Sequence, residues 1–109
     1  MASREFERPI PKTRNIMERF PVNQVSDMTE LAELVSAMPS SVVGIFSGKA
    51  AVGYSLTGLS KSCMIMAKYI ASNNYGVYLC ICGDLTSGRM AFGTFSTTDG
   101  TVNRFWTSS

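Results

Sequence analysis

The sequence predicts an α+β domain in which two helices cover one face of a single five-stranded antiparallel sheet. Three observations predict this class: an amphipathic helical repeat after Asp27, an apolar helix-like segment in mid-chain, and three strand-like segments towards the end. The order of elements is α-β-β-α-β-β-β within residues 26–109, and residues 1–25 form an N-terminal arm that is flexible or docks. A chain of 109 residues is long enough for one domain with its own core.

The first helix begins at Ser26 or Asp27. Asp27 and Glu30 have the spacing of a capping box, in which two side chains satisfy free backbone amides at a helix start. Pro39 ends the helix. The apolar side chains between these limits recur at helical spacing: Leu31, Leu34, Val35 and Met38.

A tight hairpin is predicted next, with strands at Val42–Ser47 and Ala50–Leu56 around a turn at Gly48 and Lys49. A helix then follows at Leu59–Asn73. It is apolar nearly all round, which is typical of a helix buried against a broad surface such as a sheet. We expect this helix to be the central packing element of the domain.

Three further strands are predicted at Tyr75–Cys82, Arg89–Ser96 and Thr101–Thr107. Side chains alternate between the faces of a sheet, and two helices can cover only one face. The other face retains aromatic side chains: Tyr78, then Phe92 or Phe95, then Trp106 or Phe105. Alternation also places Arg104 on the same face as Trp106. The predicted partner-binding residues are therefore Tyr78, Phe92, Arg104 and Trp106.

The order of these elements resembles the Roadblock/LC7 arrangement, to which the longin and profilin folds are similar. The resemblance covers residues 26–107 and rests on the predicted helix, hairpin, helix and three strands, with no residue motif. It implies a non-catalytic platform that dimerises and regulates or scaffolds other proteins. The C-terminal helix usual in that family has no counterpart in the sequence.

Positive charge is concentrated in the arm. The net charge is +2, and residues 1–24 carry five basic and three acidic residues, against five of each in the remainder. Basic side chains beside an aromatic sheet face are the combination that binds single-stranded nucleic acid. The candidate residues for such binding are Arg4, Arg8, Lys12, Arg14, Arg19 and Arg89.

Catalytic chemistry has little support in the sequence. There is no histidine, which removes the commonest general base and zinc ligand. The segment from Gly44 to Ala50 has the wrong glycine spacing for a phosphate-binding loop, and a hairpin turn fits it better. Cys63, Cys80 and Cys82 could form a soft-metal or redox site but lack a fourth ligand, so buried apolar thiols are the favoured interpretation. We predict no catalytic residue, no metal and no cofactor.

The predicted function is that of a non-catalytic interaction or scaffold module that forms a homodimer or higher oligomer through an apolar sheet face or edge. Its partners are a second copy and another protein. Single-stranded nucleic-acid binding is the alternative. Unpaired cysteines, no signal-like leader and no apolar run of bilayer length predict an intracellular, cytoplasmic protein without a membrane span.

Overall fold

The computed structural model describes residues 22–108, which form a six-stranded mixed sheet with two helices packed on one face. A short 3-10 turn, Ala71–Asn73, joins the third and fourth strands. The elements are β1 (Asn23–Val25), α1 (Met28–Ser36), β2 (Val43–Gly48), α2 (Ala50–Thr57), β3 (Cys63–Ile70), β4 (Tyr75–Gly83), β5 (Gly88–Ser96) and β6 (Val102–Thr107).

The strands lie in the sheet in chain order, from β1 to β6. β1 and β2 run parallel, and every later neighbouring pair is antiparallel. Parallel neighbours need a crossover connection, and α1 supplies it between β1 and β2. The backbone N–H of Lys49 donates to the carbonyl of Val25, so the end of β2 is tied to β1.

The start of α1 confirms the predicted cap. The Asp27 carboxylate accepts a hydrogen bond of 2.8 Å from the backbone N–H of Glu30, and the Glu30 carboxylate accepts one of 2.8 Å from the N–H of Ser26. These two bonds satisfy amides that have no partner within the helix. The buried stripe of α1 then faces the sheet with Leu31, Ala32 and Val35.

The predicted five-stranded antiparallel sheet is wrong, and so is the predicted order of elements. Residues 63–70, expected inside a long helix, form β3, and residues 50–56, expected as a strand, lie in α2. Residues 23–25, which were assigned to the arm, form β1. The first predicted strand and the last three do occur, each within one residue of the predicted limits.

The apolar character of both faces of β3 explains the error in that segment. Buried Ile65 and Ala67 alternate with exposed Met64 and Met66. All four are apolar, so the period of two that identifies a strand is hidden in the sequence. A continuous apolar run does not by itself distinguish a buried helix from a strand.

Helix α2 is defined by its C-terminal cap. Gly58 adopts a left-handed conformation with φ of 87°, and its N–H donates to the carbonyl of Tyr54 at 2.8 Å. Glycine favours this geometry because it has no Cβ to clash with the backbone. Val52 and Leu56, one helical turn apart, are both fully buried against the sheet.

One core lies between the helices and the sheet. Both helices and the inner side of every strand from β1 to β5 contribute to it. The largest fully buried side chains are Tyr78, Phe46, Phe95, Leu31, Leu56 and Ile65.

We expect Gly53→Ala to destabilise the fold even though alanine favours helices. A Cβ at this position would overlap the carbonyl oxygen of Lys61, which is backbone and cannot rotate away. Alanine gains about 1 kcal/mol of helix propensity over glycine, whereas forcing extra atoms into a packed site costs about 1–3 kcal/mol. Urea unfolding followed by circular dichroism should show a net loss of stability.

Tyr54→Ala is the control for that experiment, because Tyr54 is on the same helix and exposed. Its unfolding midpoint should move much less. A Gly53→Ala protein as stable as the unaltered chain would contradict the close packing of α2 on the segment that follows it.

Candidate interaction surface: the open face of the sheet

The face of the sheet opposite the helices carries large apolar side chains, each between 38% and 60% exposed. On most soluble proteins, exposed apolar residues are scattered singly, and a contiguous patch marks a contact surface. We name this surface the open face. It consists of Val43, Ile45, Met64, Met66, Val77, Leu79, Ile81, Met90, Phe92, Phe105 and Trp106.

Strand register aligns these side chains in rows across the sheet. In the central row, residues from β2 to β6 are direct neighbours: Ile45, Met66, Leu79, Phe92 and Trp106. Strands are about 4.8 Å apart, so five of them give a row about 20 Å long. A second row beside it consists of Met64, Ile81 and Met90.

A bulge in β6 adds an extra aromatic residue to this surface. Trp106 pairs with Phe92 and Arg104 pairs with Gly93, which leaves Phe105 without a partner on β5. The rings of Phe92 and Trp106 are stacked, with centroids 6.0 Å apart. Phe105 lines a shallow cavity of about 670 Å³ on the same face, together with Tyr75, Val77, Phe92 and Thr94.

The open face carries little charge. Its described polar side chains include Ser47, which is opposite Met64, and Thr94, which lies between Val77 and Asn103. Within residues 22–108 the charged side chain on this face is Lys68, and its ammonium donates to the backbone carbonyl of Ser40. The middle of the surface is therefore apolar and uncharged.

Two of the predicted partner-binding residues, Phe92 and Trp106, lie at the open face. Tyr78 does not, because the two faces of β4 were assigned the wrong way round. It is 2% exposed beneath α2, and its hydroxyl donates to the carbonyl of Leu56 at 2.7 Å. Burial, which disfavours the phenolate, raises the pKa of Tyr78 to about 12.

Arg104 also lies on the helix side, so its predicted placement beside Trp106 is wrong. The bulge at Phe105 breaks the alternation that placed the two together. The Arg104 guanidinium donates to the carbonyls of Leu56 and Ser55, both at 3.2 Å. These are carbonyls of the last turn of α2, where a cation also interacts favourably with the helix dipole.

Arg89, a predicted nucleic-acid contact, is engaged at the same helix end. Its guanidinium donates to the carbonyl of Thr57 at 3.1 Å. The structure thus brings Arg89 and Arg104 together at the C-terminus of α2, away from the exposed aromatic rings. The other predicted basic contacts lie outside the described residues: Arg4, Arg8, Lys12, Arg14 and Arg19.

The three cysteines are buried and free, in β3 and β4. Within residues 22–108 no group of three or more histidine, cysteine or acidic side chains has an arrangement that could hold a metal ion. In the same part of the chain, no helix has the length and apolarity needed to cross a membrane.

No protein-family model, curated protein or solved structure matches this chain. The resemblance to the Roadblock/LC7 arrangement is therefore untested by these comparisons. The order of elements on which it rested differs from the observed order, in which a helix follows β2 and a strand follows that helix.

Most aliphatic residues of the open face, including Met64, Met66 and Leu79, are not among the predicted contacts. The prediction places Met64 and Met66 in a buried helix and Leu79 on the face of the sheet opposite Tyr78. The available signal was in β4, where Val77, Leu79 and Ile81 alternate with Tyr78 and the two cysteines, so that both faces are apolar. A strand that is apolar on both faces requires a packing partner on each face of the sheet.

We expect Arg104→Met to lower stability without changing the oligomeric state. The change keeps the apolar stem but removes the hydrogen bonds to the end of α2, and such bonds contribute about 0.5–1.5 kcal/mol each. A loss of about 1–2 kcal/mol should appear in urea unfolding.

Lys49→Met is the charge-matched control, because Lys49 is at the opposite end of α2, where a cation opposes the helix dipole. It should leave stability unchanged or slightly raised. If Arg104→Met dissociates an assembly while the unfolding curve stays the same, Arg104 belongs to an interface and not to the α2 cap.

Proposed function

We propose that this protein is a non-catalytic interaction or scaffold module that self-associates by packing its open face on that of a second copy. The observation that carries the proposal is the uninterrupted apolar row from Ile45 to Trp106, aligned across five strands and uncharged along its length. The helices cannot cover it, because both are packed on the opposite face.

The area of the open face suits a stable dimer. Its eleven members are roughly half exposed, and the largest of them, the aromatic side chains, have on the order of 150–250 Å² to bury. The face therefore offers on the order of 800 Å², which is what each partner of a standard-sized interface buries.

A second copy is the occupant favoured by the chemistry of the face. A two-fold interface places each patch against itself, so any charge near the axis would meet a like charge. An apolar face with no central charge avoids that repulsion. A partner recognised by its charge would require complementary charged groups, and the described centre of this face has none to offer.

The expected arrangement is two sheets face to face, about 10 Å apart, as in a β-sandwich. Trp106 and Phe92 are the expected hot spots, because buried aromatic anchors dominate interface energies. The helix sides of both copies would then point outwards, where a further protein could contact them. This would give the dimer the form of a scaffold.

Binding of single-stranded nucleic acid stays a prediction. The exposed rings of Phe92 and Trp106 favour it, because such proteins stack bases on aromatic side chains. Arg89 and Arg104 give it no support, since both bind the end of α2. A polynucleotide titration at several salt concentrations distinguishes nucleic-acid binding from self-association. The affinity of a nucleic-acid binder falls steeply as the salt concentration rises, whereas a face-to-face dimer binds no polynucleotide.

The test of self-association is Leu79→Arg in the full chain. Leu79 lies in the middle of the central row, so a charge there would be buried twice in a two-fold interface. Burying an unpaired charge costs several kcal/mol. Size-exclusion chromatography with light scattering should show a dimer for the unaltered chain and a monomer of native circular dichroism for the variant.

Leu85→Arg is the matched control. Leu85 is fully exposed in the loop after β4 and is not part of the apolar rows of the sheet, so the same substitution there should leave the dimer intact. A monomeric unaltered chain, or an equal effect of both variants, would contradict the proposal.

A further inference from the structure

The three cysteines differ in their surroundings in a way that assigns them different roles. Cys63 in β3 lies directly opposite Cys82 in β4, and Cys80 lies opposite Ile65. All are buried on the helix-covered side of the sheet.

Strand register favours a bond between Cys63 and Cys82. The N–H of Gly83 donates to the carbonyl of Ser62, which makes Cys63 and Cys82 a non-hydrogen-bonded pair. In such pairs the Cα atoms are about 4.5 Å apart and the side chains are at their closest, within the separation that a disulfide spans. Cys63 and Cys80 are diagonal neighbours, with Cα atoms typically about 7–8 Å apart, which is too far.

Cys63 and Cys82 are also accessible from solvent through a cavity. Cys63 and Cys82 both line a cavity of about 660 Å³ at the end of the sheet, beside the loop from Asp84 to Gly88. Asp84 at this cavity is neutralised by Lys61 at 2.8 Å. Cys80 is fully buried and does not line the cavity, so a small oxidant reaches the other two thiols first.

The sulfur atoms of Cys63 and Cys82 make different hydrogen bonds. Hydrogen bonds from the Cys80 thiol and the Gly48 backbone stabilise the Cys63 thiolate and lower its pKa, although burial opposes this. Cys82 Sγ is 2.9 Å from the Thr57 hydroxyl, and that hydroxyl already donates its single proton to Gly53. The Cys82 thiol also donates to the carbonyl of Leu59 at 3.6 Å, so its contacts are with the segment at the end of α2.

We propose that Cys63 and Cys82 form a peroxide-sensitive thiol pair that is oxidised to an intrachain disulfide. The Cys63 thiolate attacks one oxygen of hydrogen peroxide, the O–O bond breaks, and hydroxide leaves and takes up a proton to form water. Cys82 then attacks the sulfur of the Cys63 sulfenic acid, its proton leaves with the hydroxyl as a second water, and the S–S bond forms. Two thiols and one peroxide thus give one disulfide and two waters.

The test uses the full reduced chain treated with hydrogen peroxide. Thiol titration after denaturation should fall from the three free cysteines to one. Intact mass should fall by two hydrogens with no shift to a covalent dimer on a non-reducing gel. Tryptic cleavage separates Cys63 from the other two cysteines at Lys68, and fragmentation of the linked peptides identifies the partner sulfur even if no variant folds.

Cys80→Ser is the matched control, because its hydroxyl can still donate to the Cys63 sulfur. It should still form the link, whereas Cys63→Ala and Cys82→Ala should not. Circular dichroism checks that each variant is folded. A link through Cys80, an intermolecular link, or oxidation of single thiols to sulfinic acid without a disulfide would each overturn the proposal.

Discussion

The structure depends on one constraint: the central strands are apolar on both faces, while the described chain has helices for one face only. In β3 and β4, the inner side chains Ile65, Tyr78 and Cys80 are buried under the helices, and the outer ones Met66 and Leu79 are not. Covering apolar area stabilises a protein by about 25 cal/mol per Å². The open face therefore retains exposed apolar area, and burying that area would stabilise the protein further. This is why a second copy is proposed to cover it.

The helix side uses the polar groups that the open face lacks. Tyr78, Arg89 and Arg104 all reach the last turn of α2, where they satisfy carbonyls that a helix leaves without partners. Thr57 connects the same turn to β4 through its contact with Cys82. Because Arg89 and Arg104 are engaged there, their charges lie on the opposite side of the sheet from the exposed aromatic rings, which weakens the case for a nucleic-acid groove that uses these two arginines.

Local signals in the sequence predicted part of this fold. The cap at Asp27 and the strands at β2, β4, β5 and β6 were recognised, since capping boxes, turn residues and β-branched runs act at short range. By contrast, α2 was predicted as a strand and β3 as part of a helix, because Met64 and Met66 make the sequence of β3 continuously apolar. The short β1 has only three residues and depends on its parallel pairing with β2, a contact that no local pattern encodes.

The candidate surface was predicted in kind but not in its residues. Phe92 and Trp106 were correctly predicted to lie at this surface, whereas Tyr78 and Arg104 were not. Alternation sorts the residues of one strand into two faces, but it does not show which face the helices cover or where a bulge interrupts the strand. One unpaired residue in β6, Phe105, reverses the faces on either side of it. Bulges depend on the pairing of two strands and leave no reliable mark in a single sequence.

Self-association through the open face is tested most directly by the emission of Trp106, the single tryptophan of the chain, measured over a dilution series of the unaltered protein alongside sedimentation equilibrium. At high concentration the mass should be that of a dimer and the emission that of a buried indole. On dilution to monomer the emission should shift to the red, in step with the mass. A monomer at all concentrations, or a dimer in which Trp106 emits as a solvent-exposed side chain, would contradict the account.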